Sequence, residues 1–229
     1  MKSCFITGAS RGIGRATALK LSDKFDRLYL HGRDEIALNE TINLIDNNKD
    51  TISLISDFSK TETVYHIIEK IDCVRLDVLV NNAGMGIAKP FEDLTLDEWN
   101  TLFNINVTAP FILTQGLINK IPDGGSVVNI LSVASKQVFA EWSAYCMTKF
   151  ALDGFMKTVR EEVRDKGIRV INIYPGAVDT DIWNNIPGEW DKTTMMSPDD
   201  IADSVLFAIN QPANTLVEDI SLGRLNGSS

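Results

Sequence analysis

Cysteine and histidine are scarce in this sequence. Its 229 residues include three cysteines and two histidines. Cys4, Cys73 and Cys146 are widely spaced and form no Cys-x-x-Cys pair, which argues against a disulfide framework or a zinc site. His31 and His66 have no companions at metal-ligand spacing. We therefore predict no metal site.

Positive charge and long apolar runs are also in short supply. Lys and Arg number 22 against 31 Asp and Glu, which gives a formal net charge of −9. A negative charge of this size argues against nucleic acid and anionic membranes as partners. Because the sequence shows no signal peptide and no apolar run of membrane length, it favours a cytoplasmic protein.

Nothing in the sequence marks a linker between domains. It contains no Pro-rich, Ser-rich or repeated segment. A chain of 229 residues that is 44% hydrophobic is long enough to bury one sizeable core. The expectation is a single domain over residues 1–229.

A tyrosine and a lysine stand one helical turn apart in the amphipathic stretch 143–152. Tyr145 and Lys149 are four positions apart, which is about 6 Å along a helix and places both side chains on one face. A free phenol has a pKa near ~10, and a neighbouring ammonium lowers it by stabilising the phenolate. The pair therefore suits proton transfer, although the same spacing is also common on ordinary helix surfaces.

Three further motifs accompany this pair in order along the chain. The stretch Thr7-Gly8-Ala9-Ser10-Arg11-Gly12-Ile13-Gly14 comes first, followed by Asn81-Asn82-Ala83-Gly84 and by Ser132 at the end of an apolar run. Together the motifs resemble the short-chain dehydrogenase/reductase family, over almost the whole chain. The resemblance implies an α/β fold, a single-domain Rossmann-type doubly wound sheet that is mostly or wholly parallel, with about seven strands and helices on both faces.

The first motif follows an apolar strand and opens a helix. The backbone N–H groups of such a loop and the helix N-terminus both favour an anion, so this is a phosphate-binding arrangement. The spacing Gly-x-x-x-Gly-x-Gly is the variant that the family uses. The first glycine permits the tight turn, the second the approach of a pyrophosphate and the third close helix–strand packing. The predicted dinucleotide contacts in this loop are Gly8, Ser10, Arg11, Gly12, Ile13 and Gly14.

The end of the second strand indicates which dinucleotide binds. An acidic residue there accepts hydrogen bonds from the ribose 2′-hydroxyl of NAD, whereas arginine pairs with the 2′-phosphate of NADP. Gly32 stands where the family's NAD-selecting aspartate would be, and Arg33 follows it. With Arg11 as a second cation, the pattern predicts NADP(H) as the preferred cofactor. The alternative is NAD(H), with Arg33 a solvated loop residue and Asp34 acting as the acceptor.

The resemblance assigns further cofactor contacts after the third and fourth strands. Asp57 is assigned to the adenine amino group, with Phe58 beside it. Asp57 also suits a helix N-cap region, with Ser59 as another capping candidate. Small residues after the fourth strand let the backbone lie against the adenosine, and the candidates for this wall are Asn81, Ala83 and Gly84.

A long helical stretch that begins at Asp97 is predicted to be interrupted near Pro110. Proline removes one helical N–H and bends the helix, and such an opening exposes a side-chain amide or frees a carbonyl for water. By position the family's catalytic asparagine falls on Asn106, and Asn104 is the alternative candidate.

The resemblance implies a mechanism for the four catalytic candidates. Ser132 and Tyr145 would donate hydrogen bonds to a substrate carbonyl, and Tyr145 would also transfer its proton. Lys149 would bind the nicotinamide ribose and lower the pKa of the tyrosine. Asn106 would complete a water-linked relay to solvent.

The segment after the sixth strand is predicted to complete the site. The resemblance assigns Pro175 and Gly176 to the turn under the nicotinamide, and Val178 and Thr180 to its carboxamide. Residues 181–197 are the predicted substrate lid, and its large apolar side chains are Trp183, Ile186, Trp190, Met195 and Met196. Further candidates for an apolar pocket are Phe139, Trp142 and Met85. A small or medium, largely uncharged carbonyl or alcohol substrate is expected; the alternative is that these side chains cap the core or a subunit contact.

A homodimer or homotetramer is expected from the family. A final strand is predicted over 216–220, and family members often use a longer C-terminus in tetramer contacts. A dimer through the helices bearing Asn106 and Tyr145 is therefore preferred. Two other classes share parts of the pattern: sugar-nucleotide epimerases or dehydratases, which use an extra C-terminal segment, and non-catalytic dinucleotide sensors, which need no proton relay.

Overall fold

Short apolar strands alternate with helices along the chain. The computed structural model describes residues 1–46, 48–212 and 214–225, so the chain end at 226–229, on which the preference for a dimer partly rests, lies outside the described residues. The strands are β1 (Ser3–Ile6), β2 (Arg27–Gly32), β3 (Asp50–Ile55), β4 (Val78–Asn81), β5 (Ser126–Ile130), β6 (Arg169–Pro175) and β7 (Asp219–Leu222). They form one sheet in the order β3-β2-β1-β4-β5-β6-β7, and every pair is parallel. The predicted doubly wound parallel sheet is confirmed.

Helices cover both faces of the sheet, because strands that are apolar on both sides must be buried on both sides. One face packs on a core that includes Ile67, Leu113 and Met156, and the other on a core that includes Leu21 and Val205. The helices are α1 (Gly12–Ser22), α2 (Glu35–Asn43), α3 (Thr61–Lys70), α4 (Leu96–Phe103), α5 (Ala109–Leu117), α6 (Ser143–Glu162) and α7 (Pro198–Ile209).

The winding direction of the sheet reverses at β1. Strands β2 and β3 lie on one side of β1, and β4 to β7 lie on the other. The loops that leave the carboxyl ends of β1 and β4 therefore diverge and leave a crevice between them, which is where open parallel sheets bind ligands. Most of the predicted site residues lie at or beyond the carboxyl ends of strands, and Asn106 lies within the helical stretch that follows β4.

The helical stretch 96–120 changes its hydrogen bonding in the middle. A π-helical segment, Asn104–Thr108, joins α4 to α5, so the interruption predicted near Pro110 is confirmed. By length and composition this stretch could cross a membrane, contrary to the expectation that no apolar run is long enough. Half of its most apolar window is buried inside the protein, and a core helix of a globular domain passes the same test. The stretch is a core helix here, with α5 packed against α3.

The last strand lies further along the chain than predicted. The apolar pattern placed it over 216–220, whereas β7 spans Asp219–Leu222. Its position is set by pairing with β6 and by Arg160, whose guanidinium donates to the Glu218 carbonyl at 2.6 Å and to the Asp219 carboxylate at 2.8 Å. Leu216 and the residue after it pack against the core outside the sheet.

Candidate active site

Two cavities meet at the carboxyl edge of the sheet. The larger, about 800 Å³, follows the glycine loop, β2 and the segment after β4, and we call it the dinucleotide cleft. The smaller, about 400 Å³, lies between the start of α6 and the segment 175–195. Tyr145 lines both cavities, as does Thr180. A group on Tyr145 can therefore act on molecules held in either cavity.

Tyr145 stands in the first turn of α6. It faces Ser132, which follows the end of β5. Both side chains line the smaller cavity. Burial raises the pKa of Tyr145 to about 12, and the nearby Ser132 hydroxyl acts in the opposite direction. The phenol is therefore protonated at neutral pH and able to donate.

Ser132 is held by the short turn that follows it. Its Oγ accepts the N–H of Ala134 at 3.1 Å and so caps the 3₁₀ turn Val133–Ser135. The oxygen accepts this N–H through a lone pair, so the hydroxyl proton is still available for donation to a ligand.

Lys149 lies one turn after Tyr145 and is almost fully buried. Its Nζ donates to the Ile130 carbonyl at 3.1 Å and lies 5.7 Å from the centroid of the Tyr145 ring. Burial lowers the pKa of Lys149 to about 8. Desolvation is the largest effect on the pKa of Tyr145, and the Lys149 ammonium is directed at a carbonyl. The expectation that Lys149 lowers the pKa of the tyrosine stays a prediction.

Asn106, in the π-helical segment, binds the backbone of Met85 in both directions. Its Oδ1 accepts the Met85 N–H at 2.9 Å, and its Nδ2 donates to the Met85 carbonyl at 2.9 Å and to Thr148 Oγ1 at 3.0 Å. Thr148 in turn donates to the Tyr145 carbonyl at 2.8 Å. Asn106 thus ties the wall of the dinucleotide cleft to the helix that carries the tyrosine.

The rival asparagine is engaged elsewhere. Asn104 donates to the Ser59 carbonyl at 2.9 Å and does not line either cavity. Sequence reasoning did not single out Thr148 or the backbone role of Met85. Only the position of Thr148, between the tyrosine and the lysine, could have drawn attention to its hydroxyl.

The glycine loop depends on its glycines for close packing. Gly8 and Gly12 have φ values of +68° and +54°, in the left-handed region that favours glycine. A Cβ on Gly14 would overlap the Gly8 carbonyl oxygen, and one on Gly8 would lie 2.9 Å from the Cα of Ala83. Asn82 Nδ2 secures the turn by donating to the Thr7 carbonyl at 2.8 Å.

The wall after β4 differs from the prediction in one residue. The side chain of Asn81 is buried in the sheet, where it donates to Thr114 and to Asn129 on the neighbouring strand, so the structure does not bring it to the cleft. Its neighbour Asn82 lines the cleft instead, together with Ala83 and Gly84. Successive residues at a strand end point to opposite faces, and the sequence motif alone does not say which asparagine faces the ligand.

Ser10 and Gly32 pack against each other at the ribose end of the cleft. Ser10 Oγ is buried and has no hydrogen-bond partner among the described residues. A Cβ on Gly32 would overlap this oxygen, so a side chain at this position would have to displace the Ser10 hydroxyl. A buried hydroxyl without a partner is costly, and a ligand oxygen in the cleft would satisfy it.

Two guanidinium groups line the same end of the cleft. Arg33 is exposed there, and Arg11 pairs with Asp181 at 3.5 Å across the entrance. Asp34 is committed to capping α2, since its carboxylate accepts the Ala37 N–H at 3.1 Å. The guanidinium groups of Arg11 and Arg33 and the unpartnered hydroxyl of Ser10 fit a dinucleotide that carries an extra phosphate on the ribose at this end of the cleft.

Asp57 and Phe58 lie along the next part of the cleft. Burial acts to raise the pKa of Asp57, but hydrogen bonds from Ser59 and the nearby Arg33 and Lys60 outweigh it and lower the pKa. The carboxylate accepts the Ser59 N–H at 3.0 Å in the turn before α3. The N-cap of α3 is Lys60, without a side-chain cap, so the expected capping by Asp57 or Ser59 is wrong. Phe58 is buried.

The segment after β6 forms the border between the cavities. Pro175, Gly176, Val178 and Thr180 all line the smaller cavity, as predicted for residues around the reactive end of a cofactor. Gly12 faces Thr180 across the cleft, since a Cβ on that glycine would lie 3.0 Å from the threonine methyl.

The predicted lid supplies an aromatic wall. The Trp183 ring lies 4.6 Å from that of Trp190 and 6.2 Å from that of Trp142, which packs edge-on against Tyr145 at 5.3 Å. The Trp183 indole N–H donates to the Val178 carbonyl at 2.8 Å, which leaves its apolar faces to the cavity.

The side chains of the predicted lid divide between the smaller cavity and the core, and the role of this segment as a substrate lid stays a prediction. Met195 and Phe139 line the smaller cavity with the tryptophans. Ile186 is buried, and Met196 packs against the core next to a β-bridge with Val178. Met85, a candidate for the apolar pocket, lines the dinucleotide cleft instead.

The chain is similar in sequence and structure to known proteins. A sequence model described as short chain dehydrogenase matches residues 2–190. A sepiapterin reductase from Chlorobaculum tepidum is 35% identical over 244 residues, covering 97% of this chain and 96% of that protein.

Two solved structures share the architecture. An alcohol dehydrogenase from the archaeon Thermococcus sibiricus, complexed with 5-hydroxy-NADP, has a TM-score of 0.88 and 28% identity, covering 100% of this chain and 99% of that one. A short chain dehydrogenase from Burkholderia cenocepacia, in complex with NADP, has a TM-score of 0.87 and 25% identity, covering 96% of each chain.

Proposed function

Because this chain belongs to the short-chain dehydrogenase/reductase family and is therefore an oxidoreductase, we propose that it reduces the carbonyl group of a largely apolar substrate with NADPH. The observation that carries the proposal is the position of Tyr145. Its phenol lies where the two cavities meet, and Ser132 lines the smaller cavity with it. One cavity has the shape and donors for a dinucleotide, and the other has the apolar lining for a substrate.

The chain's own residues would hold the cofactor along the larger cavity. The glycine loop would bind the pyrophosphate through backbone N–H groups and the N-terminus of α1. Lys149 would bind the nicotinamide ribose. When bound, NADPH supplies the hydride that reduces the carbonyl carbon.

Tyr145 and Ser132 would act on the substrate oxygen. Negative charge develops on that oxygen as the carbonyl is reduced, so two fixed donors stabilise the transition state more than the ground state. Tyr145 then gives its proton to the oxygen. With a pKa of about 12, the phenol of Tyr145 is protonated at neutral pH, which is the form that reduction requires.

The preference for NADPH rests on the ribose end of the cleft. Ser10 Oγ is buried without a partner among the described residues, Gly32 offers no carboxylate to a ribose hydroxyl, and Arg33 adds positive charge. Two proteins of similar structure were solved with NADP or 5-hydroxy-NADP bound. Both observations support a 2′-phosphorylated cofactor.

The aromatic wall supports a flat or aromatic substrate. Indole faces contact planar rings well, and Trp142 and Trp183 offer such faces beside the phenol of Tyr145. The Chlorobaculum relative carries the name sepiapterin reductase. Sepiapterin therefore belongs among the compounds to be tested.

A substrate panel tests the reaction. The purified protein is given NADPH or NADH with aromatic and aliphatic ketones and aldehydes and with sepiapterin, and cofactor oxidation is followed. We expect turnover with NADPH, with aromatic carbonyl compounds preferred. Equal or better use of NADH would contradict the cofactor assignment, and cofactor binding without turnover of any compound would favour a sensor.

Arg33 offers a matched test of cofactor preference. Removing a charged hydrogen-bond donor costs about 1.5–3 kcal/mol, so Arg33→Ala is expected to raise the KM for NADPH roughly 10- to 100-fold and to leave that for NADH unchanged. Arg164→Ala is the control, since this exposed arginine pairs with Glu161 at the other edge of the sheet. An unchanged KM for NADPH in the Arg33 variant would refute the role.

We also propose a homodimer through the outer faces of α5 and α6. Phe150 is 43% exposed there and Phe111 is 37% exposed, with Phe111 packed edge-on against Phe155. Exposed aromatic side chains grouped on one face favour association. Light scattering is expected to give a dimer for the wild type and a monomer for Phe150→Glu, whereas a wild-type monomer would contradict the arrangement.

A further inference from the structure

His31 is buried at the end of β2, beside the glycine loop. It is 3% exposed, and its ring stacks on that of Phe58 with centroids 3.8 Å apart and planes within 4°. The mechanism proposed above makes no use of this histidine. Its two ring nitrogens nevertheless both have backbone partners.

The partners of the two nitrogens define the tautomer. His31 Nε2 lies 3.1 Å from the Ser56 carbonyl oxygen, which can only accept, so this nitrogen must carry the hydrogen. Nδ1 lies 3.3 Å from the backbone nitrogen of Gly8, whose N–H can only donate, so Nδ1 must hold the lone pair. Both bonds exist together only in the neutral Nε2–H form.

The Gly8 peptide group is held from two sides. His31 accepts its N–H through the side chain, and the His31 carbonyl accepts the next N–H, that of Ala9, at 2.8 Å. On the other side Asn82 Nδ2 donates to the Gly8 carbonyl at 3.1 Å. Gly8 has the left-handed φ of +68° on which the turn depends.

We propose that His31, as the neutral Nε2–H tautomer, is a positioning residue that sets the glycine loop for dinucleotide binding. The inference rests on the proposed function, because it concerns the loop that would bind the cofactor's phosphates. His31 does not touch the reacting atoms and acts through Gly8. Its two bonds connect Ser56, the residue after β3, to Gly8 in the first turn of the phosphate site.

Protonation of the ring would break this arrangement. A hydrogen on Nδ1 would face the Gly8 N–H, two donors at hydrogen-bond distance, and the loop would have to move. Burial lowers the pKa of His31 to about 4, while its bond to the Ser56 carbonyl and the charge of Asp57 act in the opposite direction. The neutral form is therefore the one present at neutral pH.

Three substitutions separate the functions of the two nitrogens. In His31→Asn the side-chain oxygen has the reach of Nδ1, so an acceptor for Gly8 is kept and the donor to Ser56 is lost. In His31→Gln the amide nitrogen has the reach of Nε2, so the donor is kept and the acceptor is lost. His31→Phe keeps a ring against Phe58 and loses both bonds.

The first measurement is binding of NADPH to the purified protein, followed by fluorescence. Leaving the Gly8 N–H without an acceptor is expected to weaken binding roughly tenfold in the Gln and Phe variants, and His31→Asn should bind within about threefold of wild type. His66→Phe, which removes the exposed histidine of α3, is the control and should bind as wild type. Wild-type affinity in His31→Phe, or an Asn variant as weak as the Phe variant, would overturn the proposal.

The second measurement does not depend on cofactor. The chain has two histidines, so ¹⁵N chemical shifts of the imidazole nitrogens can be assigned with the two Phe variants. We expect His31 to be the Nε2–H tautomer at neutral pH. An Nδ1–H tautomer or an imidazolium would overturn the proposal even if His31→Phe failed to fold. A wild-type protein that bound neither NADPH nor NADH would instead contradict the proposed function, and the tautomer would still be decided by these shifts.

Discussion

The same substitution, glycine to alanine, should have opposite effects at two helical positions of this protein. Gly154 lies in α6, and a Cβ there would meet nothing within 4 Å. Alanine is favoured over glycine in a helix interior by about 1 kcal/mol, so Gly154→Ala should raise the free energy of unfolding by roughly that amount.

Gly14 has no such room. Its Cβ would overlap the Gly8 carbonyl oxygen and lie 2.5 Å from Asn82 Nδ2, the two atoms that hydrogen-bond each other across the loop. Overpacking typically costs about 1–3 kcal/mol, and a buried hydrogen bond that is broken costs about as much again. After the gain in helix propensity, Gly14→Ala should lower the free energy of unfolding by about 3 kcal/mol.

Urea unfolding followed by circular dichroism, at one protein concentration, measures both effects. The midpoint should rise for Gly154→Ala and fall for Gly14→Ala with unchanged slopes, and NADPH binding should weaken only in the latter. A Gly14→Ala protein as stable as the wild type, with the same affinity for NADPH, would refute the packing described for the glycine loop.

Three other perturbations give distinct results. Asn106→Ala should lower kcat more than it raises the KM for NADPH, because it removes the bond to Thr148 on the helix that carries Tyr145 while the glycine loop is intact. An unchanged kcat would contradict this link. Between pH 6.5 and 4 the unfolded chain binds a proton at His31 that the folded chain does not, since the pKa of His31 is lowered to about 4. Between these pH values the free energy of unfolding should therefore fall by roughly 3 kcal/mol more in the wild type than in His31→Phe. Unfolding measured at each pH tests this, and equal losses in the two proteins would contradict it. Trp183→Leu should raise the KM for aromatic substrates more than for aliphatic ones, and equal effects would argue against an aromatic wall.

The sheet and the family could be predicted from the sequence because they depend on local chemistry. The glycine loop after β1, and the tyrosine and lysine one turn apart in α6, are fixed by neighbouring residues along the chain. The helix interruption could be predicted for the same reason, since Pro110 has no N–H to offer to the preceding turn.

The predictions that were wrong concern features that depend on the sheet as a whole. Asn81 and Asn82 are adjacent in the sequence, but only the pleat of β4 decides that Asn82 lines the cleft. The start of β7 is set by its register with β6 rather than by the apolar residues from Leu216 onward.

The pKa of Tyr145 could not be predicted from local sequence either. A lysine one turn away predicted a lowered value, whereas burial raises it to about 12. The depth of burial depends on α6, β5 and the lid together, and this is not contained in the spacing of Tyr145 and Lys149. The pairing of His31 with Gly8 likewise depends on how β2 lies beside β1.

The central claim is that the phenol of Tyr145 transfers a proton to a carbonyl oxygen. Steady-state reduction of the best carbonyl substrate by wild type and Tyr145→Phe, with NADPH binding measured on both proteins, tests it most directly. Proton transfer by a positioned side chain contributes about 10²–10⁴-fold, so kcat should fall by at least that factor while the affinity for NADPH is unchanged. A Tyr145→Phe protein that kept most of its turnover would contradict the claim.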